Sequence, residues 1–297
     1  MVRRIFFLLH IFIVLGIQKS RGSMYNNDKF QKYVYKYGNS SSAENLRTIG
    51  GKEVDITKFP YQVGLHVVVT QAPFLSAVCG GTLLSHEHII TAAHCCQKNN
   101  VPVESIVAVL GSNYVGTGGK RRQMKRMFVH QGFSELTLEN DLAIVLIALV
   151  FFSDRIRPVS LPTDPNNNYR GSKAIVSGYG KIADDDIILD KRLRAVAVRI
   201  ISNKLCKHLL DAPSDDIQIK NSNICSAAAF EGTCEGDSGG PLVIRNHNIN
   251  TLIGVTSYGA DQCETKLPSV FVRVTHYLDW INNILTTTDF RKVIEKR

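Results

Sequence analysis

Past its opening residues, the chain has no apolar run that approaches the length of a membrane span, which takes about 20 residues. A polytopic membrane protein is therefore not expected. No cysteine precedes residue 79, and no Cys-x-x-Cys pair shows zinc spacing, so no metal site is expected from these residues. With 44% hydrophobic and 21% charged residues, the composition carries no mark of disorder or of collagen. Acidic residues are the scarcer sign, and the net charge is +9. That excess is local, however. Residues 1–47 hold eight Lys/Arg against two Asp/Glu, and residues 48–297 hold 27 against 24. A weakly basic domain needs no nucleic-acid partner to explain it.

The opening residues read as an address. Val2-Arg3-Arg4 gives a basic start, Ile5 to Ile17 is a nearly unbroken apolar run of 13 residues, and polar residues follow from Gln18. This is the layout of a signal peptide, with small residues at Ser20 and Gly22 placing a cut after Gly22. An uncleaved signal anchor is the alternative. Seven cysteines (79, 95, 96, 206, 225, 234 and 263) behind such a segment read as disulfides in a secreted, extracellular protein, with one left over. Residues 23–47 are polar and low in aliphatics, as in a flexible spacer, and Asn39-Ser40-Ser41 is a glycosylation acceptor pattern.

From residue 48 short β-branched runs recur between Gly, Asn, Asp and Pro. They include Tyr61–Thr70, Ser105–Leu110, Ala143–Leu149, Lys173–Ser177, Ala195–Ile201, Pro241–Ile244, Thr251–Ser257 and Ser269–Val274. Many short strands predict an all-β sandwich or barrel pair. Only the end looks helical, where Tyr277, Trp280, Ile281 and Ile284 recur at helical steps.

Three local motifs carry chemistry: Thr91-Ala92-Ala93-His94-Cys95, Asn140-Asp141-Leu142-Ala143 and Gly236-Asp237-Ser238-Gly239-Gly240-Pro241. Each alone is an ordinary loop or turn. Together, in that order, the chain resembles the chymotrypsin/trypsin family of serine peptidases over residues 48–285. Gly50-Gly51, Cys79-Gly80-Gly81-Thr82-Leu83, Ser177-Gly178-Tyr179-Gly180 and Ser257-Tyr258-Gly259 extend the likeness. It implies an all-β fold of two antiparallel six-stranded β-barrels with a C-terminal helix. The expected division is a signal peptide at 1–22, an activation propeptide at 23–47, barrels at 48–165 and 166–275, and a helix and tail at 276–297.

The resemblance also implies roles. A serine hydroxyl needs a base beside it to attack a carbonyl. Ser238 would be the nucleophile, His94 the general base and acid, and Asp141 the group that orients the imidazole. The N–H groups of Gly236 and Ser238 would form the oxyanion hole. Activation would follow a cut after Arg47, the new amino group of Thr48 pairing with Asp237. Thr48 departs from the family's Ile or Val, and an unpaired buried hydroxyl costs roughly 1–3 kcal/mol. The substrate pocket would be built by Gly232, Gly259 and Ser269, with Ser257-Tyr258-Gly259 pairing with the substrate backbone. Gly232 carries no charge, so apolar aromatic, Leu or Met side chains are expected rather than Lys or Arg. A separate trypsin-like activating protease is then required. Other expected partners are protein or peptide substrates and protein inhibitors, with no cofactor, no nucleic acid, no membrane contact after signal removal, and a monomeric state. A catalytically silent protease-like binding protein is the alternative function.

By the same resemblance the disulfides are Cys79–Cys95, Cys206–Cys225 and Cys234–Cys263. Ala174 and Ile244 stand where relatives often have a fourth pair. Cys96 is left as a buried thiol or an intermolecular partner. Some relatives bind calcium through carboxylates near residues 112–126, where this chain has none, so calcium is not expected there. Gly119 to Arg126 is a dense basic cluster that reads as a solvated loop and strand edge, or as an exosite for an acidic substrate or glycan.

Overall fold

Val63, Leu65 and Val67 are buried along one extended stretch, and this period of two sets the pattern for most of the chain. The computed structural model describes residues 51–68, 76–181, 192–210, 218–227, 236–259 and 267–288. The chain divides into two units, Met1–Ser41 and Ser42–Arg297. The described residues all belong to the second. The signal and propeptide assignments lie outside them, as do Arg47, Thr48, Gly232, Cys234 and Cys263.

The strands in chain order are β1 (Lys52–Glu53), β2 (Gln62–Val68), β3 (Ser76–Leu83), β4 (His88–Thr91), β5 (Gln97–Lys98), β6 (Val101–Pro102), β7 (Ser105–Leu110) and β8 (Lys120–Val129). Then come β9 (Ala143–Ile147), β10 (Lys173–Gly178), β11 (Arg194–Ile201), β12 (Asn223–Ala227), β13 (Pro241–Asn246), β14 (Ile249–Tyr258) and β15 (Ser269–Arg273). Two helices complete the set, α1 (Asn203–Leu210) and α2 (Leu278–Thr287).

Both barrels are closed, antiparallel and six-stranded. The first runs β2-β3-β4-β9-β8-β7. The second runs β11-β10-β13-β14-β15-β12 and closes through Ile201 opposite Cys225, with β1 added outside β11. Closure removes exposed strand edges.

Three apolar clusters hold this together. One fills the first barrel with Val63, Leu65, Val67, Ala108, Leu110, Val145 and Ile147. A second fills the other barrel with Val176, Val198, Ile224, Leu242 and Phe271. Ala174 and Ile244 both belong to it, filling with packed carbon the place of a cross-link. The third cluster lies between the barrels, where Ile90, Leu142 and Ile144 meet Val243, Val255 and Val272. Ile281 and Ile284 of α2 join it, each burial contributing about 1.5–3 kcal/mol. Asp279 in the first turn of α2 suits the positive end of the helix dipole.

Two expectations need correction. Helix α1 is real, although only the chain's end looked helical. Ser202 Oγ accepts from Leu205 N–H at 3.2 Å as its N-cap, and Cys206 fastens it to Cys225 of β12. The basic cluster is strand and not loop. Lys120–Val129 is a ten-residue strand whose first part, Lys120 to Gln123, pairs with β7 and whose second part, Met124 to Val129, pairs with β9.

Candidate active site

Asp141 is fully buried, and burying a carboxylate is costly unless it is paired and hydrogen-bonded. It has three donors. The backbone N–H of His94 reaches Oδ1 at 2.9 Å, the His94 ring Nδ1 reaches Oδ2 at 2.8 Å, and Ser257 Oγ reaches Oδ2 at 2.6 Å. The two bonds from His94 fix both the backbone and the ring. With Nδ1 donating, Nε2 is left as the acceptor. Burial disfavours a charged His94, but the charge and hydrogen bond of Asp141 together outweigh it, and the pKa is raised above its ordinary value.

The local backbone explains this placement. His94 lies in a single 3-10 turn, Ala93–Cys95, directly after β4, and the disulfide from Cys95 to Cys79 ties that turn to β3. Asn140, just before Asp141, takes a left-handed φ of +53°. Its amide Nδ2 donates to Gly132 O at 2.7 Å, and its Oδ1 accepts from Tyr277 O–H at 2.8 Å. The turn that delivers Asp141 is thus held from both sides.

Ser257 is where the sequence reading fell short. It was singled out for its backbone, whereas its side chain belongs to Asp141. The signal was hidden in strand register. Thr256 faces Phe271 and Tyr258 faces Val270, so Ser257 is the extra residue of a bulge. A bulge re-aims one side chain out of the alternation.

Ser238 sits on the turn before β13. Its carbonyl accepts from Gly80 N–H at 2.7 Å, next to the Cys79 end of the disulfide that anchors His94. No hydrogen bond joins the Ser238 and His94 side chains; such bonds often tighten only when substrate binds. Gly236 has φ +97°, a conformation open to glycine. Asp237 turns the other way. Its Oδ1 accepts from Gly180 N–H at 2.9 Å, and it shares a cavity of about 30 Å³ with Gly51, Gly178 and Lys181. A Cβ on Gly178 would lie 2.0 Å from Asp237 Oδ1. Glycines here are the space the carboxylate occupies.

Among the expected pocket residues, Ser257 and Ser269 are buried, Gly259 is exposed, and Gly232 lies outside the described residues. The disulfides Cys79–Cys95 and Cys206–Cys225 are formed. Cys96 is a free thiol buried in the first barrel's core, which removes an intermolecular disulfide as its state. Burial first, and the charge of Asp141 second, push its pKa up to about 12. Among the described residues, the one group with metal-ligand chemistry is Cys79, His94 and Cys95. Its two sulfurs are bonded to each other, so no thiolate is there to bind a metal.

The turn that carries Ser238, the His94–Asp141 pair and two closed six-stranded barrels stand together in one fold. A family model described as Trypsin matches residues 48–281. Trypsin epsilon of Drosophila erecta is 33% identical over 240 residues, covering 79% of this chain and 86% of its own length. A collagenase structure, described as HL collagenase, superposes with a TM-score of 0.70 at 34% identity, covering 79% of this chain and 97% of its own. The scabies mite inactivated protease paralogue S-D1 gives a TM-score of 0.70 at 27% identity, covering 80% and 97%. The chain belongs to the chymotrypsin/trypsin family of serine proteases.

Proposed function

We propose that the chain is a secreted serine endopeptidase that hydrolyses peptide bonds through an acyl-enzyme intermediate. The observation that carries this reading is the buried Asp141 with both His94 bonds, which leaves Nε2 as a base. In this reading Ser238 attacks the scissile carbonyl, His94 takes its proton and returns it to the leaving amine, and Gly236 and Ser238 N–H groups receive the oxyanion. Asp141 stabilises the imidazolium that forms between these steps.

The precursor reading has its own support. Gly51 lines the same small cavity as Asp237, three residues downstream of Thr48. In this reading the amino group freed by a cut after Arg47 pairs with that carboxylate. Gly232 leaves the pocket uncharged, so cleavage after Phe, Tyr, Leu or Met follows, and activation after Arg47 needs a separate trypsin-like protease. The relatives' names do not alter this, because preference depends on the residue at the pocket base.

One observation favours a second reading, a silent binding protein: the likeness to an inactivated protease paralogue. Against it, His94, Asp141 and Ser238 are all present. The test is to express the chain, cut it with trypsin at Arg47, and treat it with an organophosphate inhibitor. Labelling that needs the cut and disappears in Ser238→Ala supports the enzyme. A cut chain that neither takes label nor cleaves any member of a peptide library sinks it, and the library profile measures the pocket preference.

A further inference from the structure

Asp141 comes at the end of the loop that joins β8 to β9, and the loop closes on itself. His130 N–H donates to Leu142 O at 2.9 Å, Leu142 N–H to Asn140 O at 2.7 Å, and Ser134 N–H to Glu139 O at 3.1 Å. Asn140, directly before Asp141, has a left-handed φ of +53°, which asparagine tolerates better than most residues. Its amide is used at both ends. Nδ2 donates to Gly132 O at 2.7 Å, a bond that stays within the loop. Oδ1 accepts from Tyr277 O–H at 2.8 Å, a bond that leaves it.

Tyr277 reaches the loop from the second barrel. It ends the 3-10 turn Val274–Tyr277, which leads from β15 into α2. It is buried and belongs to the apolar cluster between the barrels. Its ring meets His130 edge-on at 5.3 Å between centroids and His276 at 4.9 Å. Burial raises the pKa of its hydroxyl, against a side-chain hydrogen bond from Ser222, so the group stays protonated and donates. Ser222 stands just before β12, and its carbonyl accepts from Arg273 N–H of β15 at 2.8 Å. The hydroxyl of Tyr277 is thus shared between the second barrel and the residue next to Asp141. A neighbouring link, the Lys220–Glu139 ion pair, is 45% and 38% exposed, and such surface pairs contribute little.

We propose that Tyr277 is a positioning residue: through Asn140 it sets Asp141 against His94 and ties that pair to the barrel that carries Ser238. The proposal rests on the reading of Asp141 as the carboxylate that orients His94. Packing between the barrels accounts for the ring of Tyr277, and phenylalanine would serve it equally. It does not account for the hydroxyl, which is directed at Asn140. Asp141 has three donors at 2.6 to 2.9 Å, and hydrogen bonds weaken steeply as their geometry degrades. A turn released at Asn140 therefore loosens Asp141 from the imidazole without removing any group from the site.

The experiment compares Tyr277→Phe and Asn140→Gly with the parent, each cut at Arg47. Tyr277→Phe keeps the ring, and Asn140→Gly keeps the left-handed backbone. Gln131→Ala is the control. It removes the partner of Trp280 Nε1 on α2, at 3.2 Å, and leaves Asn140 alone. We expect Tyr277→Phe to lose about five- to tenfold in kcat, with KM unchanged. The acid limb of its kcat/KM profile moves to lower pH, because a displaced Asp141 supports the imidazolium less. The other charges acting on His94, Lys98 and Glu135, are the same in every variant. The double variant should be no worse than Asn140→Gly alone, since both changes break one bond, and Gln131→Ala should match the parent.

Proton NMR of the uncut chain gives a readout that needs no turnover. The His94 Nδ1–H resonance, moved downfield by its bond to Asp141, is expected to shift upfield in Tyr277→Phe and to stay in place in Gln131→Ala. If the cut parent takes no organophosphate label, the enzyme reading fails, while this resonance still decides the positioning. An unchanged resonance and an unchanged acid limb in Tyr277→Phe overturn the proposal. So does a loss confined to KM, or fully additive losses in the double variant. Should Tyr277→Phe not fold, Asn140→Gly carries the same predictions.

Discussion

Ser257 Oγ donates to Asp141 Oδ2 at 2.6 Å, the same oxygen that holds the His94 ring at 2.8 Å. One buried oxygen thus balances two donors. Replacing Ser257 by Ala removes the one that does not take part in proton transfer. A hydrogen bond to a charged group contributes roughly 1.5–3 kcal/mol, and part of that is recovered as His94 tightens. We expect kcat/KM in Ser257→Ala to fall about tenfold. Asp141, less well satisfied, pulls harder on the imidazolium, so the acid limb of the pH profile moves to higher pH. An unchanged rate and an unchanged limb would show that Ser257 only fills space.

The raised pKa of His94 has two consequences of opposite sign. The general base must be neutral, so kcat/KM falls as pH drops through the folded-state pKa. That midpoint should lie above about 6.5, the ordinary imidazole value. Stability runs the other way. The imidazolium–Asp141 attraction is fully present below the unfolded-state pKa and is lost as pH rises through the folded one. The stability gap between parent and His94→Ala should therefore be wider near about pH 5 than near about pH 9. Melting curves at the two values decide it, and a gap that widens with pH refutes the assignment.

The fold was legible where alternation was unbroken. Ser105–Leu110 was read with the bounds it has in the structure, because its inward residues are all apolar. Strand β8 was legible only as charge. Its inward residues Met124, Met127 and Val129 are split by a bulge, and neither period two nor period 3.6 survives that. Helix α1 was missed because it is only eight residues long, although Leu205, Cys206, Leu209 and Leu210 do recur at helical steps. The contact between His94 and Asp141 was foreseeable from short motifs around each residue. The Ser257 hydroxyl was not, since its direction depends on how β14 and β15 register against each other.

Cys96 offers a stability test without touching the chemistry. Its thiol is fully buried and free, and in such surroundings cysteine behaves as a small hydrophobe. Cys96→Ser puts a better hydrogen-bonding group where apolar neighbours offer no partner, at a cost of about 1–3 kcal/mol. Cys96→Ala loses only the volume of one sulfur and should cost less. Denaturant midpoints for the two variants should fall in that order. Serine as stable as alanine would mean that a polar partner or water reaches the site.

Gly180 tests whether the seat of Asp237 is steric. The Gly180 N–H donates to Asp237 Oδ1 at 2.9 Å, and a Cβ added at Gly180 would lie 2.7 Å from Cγ and 2.8 Å from both carboxylate oxygens. Nothing flexible is available to yield, because the contact falls on the charged group itself. Gly180→Ala must therefore displace Asp237, and with it the adjacent N–H of Ser238 in the proposed oxyanion hole. Losing one such donor costs about 10²–10³ in turnover. We expect a loss of that order in kcat for Gly180→Ala after cleavage at Arg47, with His94 and Asp141 undisturbed. Because the fault lies in the anion site, binding of a transition-state-like boronic acid should weaken far more than binding of a substrate-like peptide. If both weaken alike, the displacement has reached the substrate cleft rather than the oxyanion donors, and Asp237 does not control them.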